Sequence, residues 1–346
     1  MPEPLVSIII VNRNGIAFIE ECLRSVFNSR YSNFEVILVD NDSKDGSLQA
    51  ARKAFGQEQR LKILEKNNAN IGPAACRNFG VKTARGSYLA FLDNDTKVEA
   101  DWLGELVRVF ESDKSIGAGQ AKLLRMGTDN LYDCAGDYLG PLGFLIERSK
   151  GAKDTGQFDF LADILSAKSA ASIIKKELFE RIGGFDEDYF MYLEETDLSW
   201  RVWLAGFRVV FIPKAVVYHA FNTGKKDFKR YYSRYVVRYY GCRNYISTLI
   251  KNVKIKNLVS LLPLHVFSWL AVAFLFLFKG KFLDFIYITR GVFWNIVNLD
   301  ILIKKHLAIN RDIRRVDDSF IFERVKSKEG LKDYLRKAGS YTGMSL

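Results

Sequence analysis

The chain has 346 residues, 48% of them hydrophobic and 26% charged, enough for one large domain with an appendage. Its four cysteines, Cys22, Cys76, Cys134 and Cys242, are scattered; no pair has the spacing of a zinc module or a dithiol centre, and reduced thiols in a cytosolic compartment are expected. The formal net charge of +11 is uneven: residues 1–222 carry 27 Lys/Arg against 31 Asp/Glu, and residues 223–346 carry 24 against 9, so the basic surplus of the last third predicts a polyanionic partner, either an anionic membrane surface or nucleic acid.

In chain order, the first apolar run, 5–11, is too short for a signal peptide and lacks a basic start and a cleavage site. Its β-branched part, Val6-Ser7-Ile8-Ile9-Ile10-Val11, suits a strand buried in a parallel sheet. Residues 16–27 follow with helical spacing at Ile16, Ile19, Leu23 and Val26. A second strand is predicted over 34–39, ending at Asp40, then a helix from Asp45-Gly46-Ser47 through Ala54. Residues 61–64 make a third strand, 72–84 a helix ended by Gly86, and 88–92 a fourth strand. Asp101 is placed to cap a helix with Leu103, Leu106, Val107 and Phe110 on one face. This alternation implies an α/β fold, a parallel sheet covered by helices, with ligands beyond the carboxyl ends of the strands. Asn12, Arg13, Asn14, Asp40, Asp93 and Asp95 all fall at those ends.

After Ile116 the rhythm changes. Strands are expected over 116–124, 144–147, 161–167 and 172–175 without long helices between them, then a tight turn at Gly183-Gly184-Phe185. A helix over 198–205 closes at Gly206, and two short strands, 209–212 and 215–218, end at His219. This half reads as a mixed-sheet extension that completes a cleft.

Three constellations carry chemistry. In Tyr88-Leu89-Ala90-Phe91-Leu92-Asp93-Asn94-Asp95 an apolar strand stops in two carboxylates. They suit a shared proton or a hard cation such as Mg²⁺ or Mn²⁺, although Asp and Asn also serve turns and helix caps. The stretch 68–80 has Asn70 and Gly72 for tight turning and a helix N-terminus that would face an anion; Arg77, a turn further on, fits either that role or an ion pair. Glu194, Glu195 and Asp197 start a helix, where acids are electrostatically welcome, and Asp197 can pair with Arg201 four residues on. With Asp186, Glu187 and Asp188 just upstream, the density of negative charge favours a catalytic carboxylate.

Taken in order, VSIIIVNRN, VDNDSKDGS, NIGPAACRNFG, FLDNDTKVE, GGFDEDYFMYLEETDLSWR and AGFRVVFIPKAVVYH resemble family 2 glycosyltransferases, inverting enzymes of the GT-A fold, over roughly residues 5–222. The resemblance implies a mainly parallel central sheet and a nucleotide pocket lined by Val11, Asn12 and Asn14. It implies that Asp40 accepts a hydrogen bond from the base and that Asn70, Gly72 and Arg77 border the ribose and diphosphate. Asp93-Asn94-Asp95 stands at the family's DxD motif, with Asp93 toward the ribose and Asp95 on a divalent metal, Mg²⁺ or Mn²⁺. Glu195 falls where the family has the Asp of its ED pair and would be the general base, with Glu194 as the other candidate and Asp197 beside them. His219 matches a histidine that ligates the metal or touches the diphosphate. The donor would be a UDP-, dTDP- or GDP-sugar, and the acceptor a lipid-linked or growing glycan.

The last third differs. In 225–256, Phe228, Tyr231, Tyr232, Tyr235 and Tyr239 alternate with Lys229, Arg230, Arg234, Arg238 and Arg243, a pattern for nucleic acid or for anionic lipid. Residues 258–278 are apolar for about a bilayer's thickness, which favours lipid over nucleic acid. Lys279 and Lys281 make both flanks basic and favour a surface-lying hairpin over a single crossing, with a true span or a buried helix pair as the other readings. Residues 285–303 look amphipathic, and the charged tail after Asn310 is expected to be a mobile helix. The expected organisation is a catalytic domain (1–222), a basic-aromatic segment (223–257), membrane-associated helices (258–310) and a tail (311–346). The whole reads as a metal-assisted transferase at the cytoplasmic face of the cell membrane. The alternatives are a nucleotide-sugar-binding protein without catalysis and a nucleotidyltransferase, whose Gly/Arg-rich phosphate loop VNRNGIAF lacks.

Overall fold

The computed structural model describes residues 3–66, 69–149, 151–220 and 234–327. Asn68, the residues Phe228 to Tyr232 of the basic-aromatic pattern and the tail beyond 327 lie outside the described residues, as does the side chain of Arg234.

The alternating first half folds as its periodicity predicts. It runs β1 (Val6–Asn12), α1 (Ile19–Phe27), β2 (Phe34–Asp40), α2 (Ser47–Phe55), β3 (Leu61–Glu65), α3 (Gly72–Val81), β4 (Tyr88–Asp93), β5 (Thr96–Val98) and α4 (Trp102–Ser112). The second half contributes β6 (Ile116–Arg125), β7 (Tyr132–Cys134), β8 (Asp137–Leu139), β9 (Leu145–Glu147), β10 (Ala162–Asp163), β11 (Ala171–Lys175), α5 (Lys176–Arg181), α6 (Glu194–Leu204) and β12 (Arg208–His219). The main sheet has the order β10-β12-β6-β11-β4-β1-β2-β3. β3, β2, β1 and β4 pair in parallel, as do β6 and β12, while β11 joins the two groups antiparallel to both neighbours.

Alternation along the strands divides the core. Ile9, Ile37, Val39, Leu89 and Phe91 face one layer with α3 and α6. Val6, Ile8, Ile10, Val36, Leu38, Ala90 and Leu92 face the other, with α1 and α4. Burying a side chain such as Phe91 or Phe110, both essentially without exposure, contributes roughly 1.5–3 kcal/mol. Both layers hold the strand ends at one edge.

Four local expectations are corrected. Asp101 does not cap α4 with its side chain; it pairs with Arg30. The two strands expected at 209–212 and 215–218 are one, β12, whose register shifts between Ile212 and Val216 while β6 remains paired on both sides, so Pro213 sits in a bulge. Only Ala162–Asp163 of the 161–167 run is strand. The helix expected over 198–205 begins four residues earlier, at Glu194.

Beyond 234, α7 (Arg234–Asn252), α8 (Ile255–Phe278), α9 (Phe282–Val297) and α10 (Leu299–Ala308) form a helical unit with its own core of Cys242, Ile246, Trp269, Ala273, Ile288 and Leu302. α8 buries Leu258, His265, Trp269, Ala273 and Phe276 along one stripe. Among the described residues nothing covers its opposite face: Phe267 is 70% and Phe278 84% exposed. By length and composition, α8 alone among the described helices could cross a bilayer; α9 would need α10 as well, across a 62° bend. The described part of the tail is packed rather than loose. α11 (Asp318–Val325) buries Ile321 and Val325, and Lys326 bridges to Leu139.

Candidate active site

The carboxyl ends of β1, β2 and β4 are stitched by buried and half-buried polar side chains. Asn12 donates through Nδ2 to Asp40 Oδ1 (2.9 Å), Ser43 Oγ (3.1 Å) and Ser47 Oγ (2.9 Å), and its Oδ1 accepts from Asn94 Nδ2 (2.7 Å). Asn14, in left-handed backbone (φ 52°), accepts from the Lys44 amide at 2.7 Å. Asn70 Oδ1 accepts from Asn41 Nδ2 (2.8 Å) and from the Gly72 amide (3.1 Å). Val11 is half-buried beside Asn12. The predicted nucleotide-pocket residues therefore share one edge of the sheet. Asp40 is only 2% exposed, with Oδ1 accepting from Asn12 and Oδ2 from the Ser43 amide, so it orders the loop at the end of β2. Gly72 (φ 82°) is fixed by packing: an added Cβ would lie 2.4 Å from the Phe190 carbonyl oxygen.

Asp93 and Asp95 stand at the end of β4, partly exposed, and His219 ends β12 opposite them. One ligand atom from each of the three lies within 4.8 Å of the others. His219 Nε2 is 3.3 Å from Asp95 Oδ1, and its Nδ1 is 2.8 Å from Asp133 Oδ2. Burial opposes protonation of His219, but the hydrogen bonds to Asp133 and Asp95 outweigh it and hold its pKa well above the usual range. Two carboxylates and an imidazole whose far nitrogen is oriented by a third carboxylate fit a hard divalent cation such as Mg²⁺ or Mn²⁺. Binding one would replace the proton on His219.

Arg77 links this group to the second acidic cluster. Buried in α3, it donates from Nη2 to Asp93 Oδ1 (2.9 Å) and from Nη1 to Glu194 Oε1 (2.8 Å). It is thus committed to two carboxylates and is neither a surface pair nor a free diphosphate contact. Glu194 is 4% exposed. Glu195, next to it, keeps partial exposure. Burial and the Glu194 charge raise Glu195 to about 7, against the opposing pull of Lys168 and Arg77. Lys168 also pairs with the fully buried Asp137 at 2.9 Å. Asp197 faces elsewhere: fully buried, it pairs with Arg201 (2.8 Å) and Lys251 (2.8 Å) and accepts from Asn252 (2.8 Å). Its surroundings are those of a structural ion pair, not of a group open to substrate.

The segment entering α6 is strained. Phe190, Tyr192 and Leu193 all have positive φ, 56°, 65° and 66°; Leu193 is left-handed helical, whereas Phe190, with ψ −62°, lies outside that region, and such non-glycine backbone costs of order 1–3 kcal/mol per residue. Asp133, Lys168, Asp137 and Arg77's bridging role were not legible as site features, because no local motif marks them.

Residues 7–183, just over half of the chain, match the model of glycosyl transferase family 2. A mainly parallel sheet with paired acids at its carboxyl edge is the architecture of nucleotide-sugar transferases, and the chain belongs to glycosyl transferase family 2. Glycosyltransferase GlyG of Streptococcus pneumoniae is 27% identical over 221 residues, 60% of this chain and 68% of that one. The S. aureus TarS 1–349 structure in complex with UDP-GlcNAc aligns with a TM-score of 0.58 at 17% identity, over 94% of this chain and 93% of that one. The mannosyltransferase PcManGT from Pyrobaculum calidifontis, in complex with GDP-Man and Mn²⁺, aligns at 0.55 and 17% identity, over 89% and 81%. These neighbours establish the GT-A fold. The chain spans 16–41% of the length of the first five curated relatives it matches.

Proposed function

We propose that the chain transfers a sugar from a UDP-, dTDP- or GDP-linked donor to a lipid-linked or growing glycan acceptor, with inversion at the anomeric carbon. The observation that carries this is the Arg77 bridge, which ties the Asp93 end of the donor edge to the Glu194-Glu195 pair in one cleft. Asn12, Asn14, Asn70, Gly72 and Asn94 shape the nucleotide side, with Val11 at its floor. Asp40 supports that loop from within. Asp95 and His219, with Asp93 in reach, would hold the cation, whose charge when bound offsets that of the departing diphosphate.

Glu195 is the general base in this reading. A base with a pKa near 7 is half ionised at neutral pH and still basic enough to take a hydroxyl proton. Arg77 occupies Glu194, which supports Glu195 over its neighbour. As the acceptor oxygen bonds to the anomeric carbon, its proton passes to Glu195. The bond from that carbon to the diphosphate oxygen breaks, and the nucleoside diphosphate leaves with the electron pair. The apolar outer face of α8, flanked by Lys256, Lys279 and Lys281, supports seating on the cytoplasmic leaflet of the cell membrane.

The test is release of nucleoside diphosphate from a panel of UDP-, dTDP- and GDP-sugars with Mn²⁺. Asp95→Ala and Glu195→Gln are each expected to lower turnover at least 100-fold while the circular dichroism spectrum is unchanged. Wild-type turnover in either variant removes the assigned role.

A further inference from the structure

The segment 186–193, which delivers Glu194 and Glu195, is held from outside by the C-terminal helices. Asn244 of α7, with no exposure, donates through Nδ2 to the carbonyl oxygens of Tyr189 (3.1 Å), Met191 (2.8 Å) and Tyr192 (2.8 Å). Three carbonyls converging on one atom require a donor there, and the two N–H groups of the Asn244 amide serve them with one shared. Around it, Arg243 donates to the Asp188 carbonyl. Thr248 Oγ1 lies 2.8 Å from the Tyr189 hydroxyl. Lys251 reaches Asp186 (2.6 Å), and Lys305 of α10 reaches Asp186 (2.7 Å) and Asp188 (2.6 Å). The three carbonyls that Asn244 holds flank the positive-φ residues Phe190, Tyr192 and Leu193. Positive φ at three such side chains persists only where surrounding contacts impose it.

We infer that Asn244 is a positioning residue for the glutamate pair. The helical unit completes the catalytic cleft by clamping the backbone that aims Glu195, in addition to carrying the apolar face. Released from Asn244, residues 190–193 relax toward right-handed backbone, and the first turn of α6 turns away from Arg77. The inference rests on Glu195 being the base. The arrangement also explains why a segment so rich in acids sits against α7 and α10: Lys251 and Lys305 neutralise Asp186 and Asp188 there, leaving the amide of Asn244 to fix geometry.

The experiment uses the full chain with two replacements, Asn244→Asp, which keeps shape but sets a carboxylate against three carbonyls, and Asn244→Ala. Asn295→Asp is the matched control. Asn295 is equally buried in α9 and donates to the Arg243 and Gly291 carbonyls, but does not touch 186–193. Amide hydrogen exchange over 190–197 is expected to rise at least tenfold in both Asn244 variants and to stay within twofold elsewhere in the sheet. On the donor panel, kcat falls at least tenfold while donor KM stays within twofold, and Asn295→Asp keeps kcat within twofold. The inference is overturned if exchange and kcat stay within twofold of wild type, if exchange rises throughout the chain, or if Asn295→Asp loses as much kcat. Full turnover in Glu195→Gln instead removes the base assignment and leaves the exchange result to judge the clamp.

Discussion

Glu194 and Glu195 are adjacent and alike, yet their surroundings separate them. Arg77 donates to Glu194 at 2.8 Å, while burial, together with the neighbouring Glu194 charge, raises Glu195 to about 7. Two consequences follow at this scale. With Glu195 as the proposed base, kcat should rise with pH through about 7 and level off above it, since only an ionised carboxylate can take the proton; a profile flat from pH 6 to 8 would contradict this. Stability should run the other way. The folded chain binds this proton more tightly than the unfolded one, so stability falls as pH rises from the usual carboxylate range through about 7. Glu195→Gln is therefore expected to be about 1–3 kcal/mol more stable than wild type at pH 8, allowing for the partial exposure of the group, and nearly equal at pH 4, by thermal unfolding. Arg77 is the opposite case. Arg77→Ala leaves Glu194 buried and uncompensated and should cost about 3–5 kcal/mol, measured by urea unfolding; a loss below 1 kcal/mol would show that the bridge contributes little.

Among elements, α8 is divided. One stripe, His265 to Phe276, seals the helical core against Phe144 and Ile146, while Val259, Leu264, Phe267, Phe274 and Phe278 face outward. A fully buried core helix would be covered all round, whereas α8 has one packed stripe and one face uncovered among the described residues; the proposed in-plane seating is tested on that face. Replacing Phe267 and Phe278 by Glu removes two of the most exposed rings. Flotation with vesicles containing phosphatidylglycerol should fall at least tenfold, and the melting temperature should stay within about 2 °C, since neither ring supports the core. Unchanged flotation would remove the outer face of α8 as a membrane contact. The bulge in β12 shows how an element can hide from its own sequence. Pro213 breaks the apolar run into two apparent strands, but β6 spans the break and keeps both halves in one strand, delivering His219 to Asp95.

For the whole molecule, a small part of the basic surplus of the last third is met from the catalytic domain. Lys251 and Lys305 pair with Asp186, Asp188 and Asp197 and join the two units, whereas Lys254 and Arg314 meet Asp317 and Asp318 of the same third and leave its surplus unchanged. The parallel sheet, the acids at the ends of β4 and at the start of α6, and the apolar run of α8 were all legible, because each is written in local periodicity or in neighbouring residues. Asp133 behind His219, Lys168 beside Glu195 and Asn244 beneath the strained segment were not. Their partners lie 86 residues away for Asp133 and 52–55 residues away for Asn244, and no spacing rule reaches that far. By itself the sequence determined the order of strands and helices and which carboxylates stand at the sheet edge, since backbone periodicity and strand ends are local. Only the tertiary structure decided which of two adjacent glutamates stays free, that Asp40 and Asp197 are enclosed, and that the C-terminal helices grip the segment aiming the acid pair. Those outcomes depend on burial and on charges brought together across the chain, which exist only once it is folded.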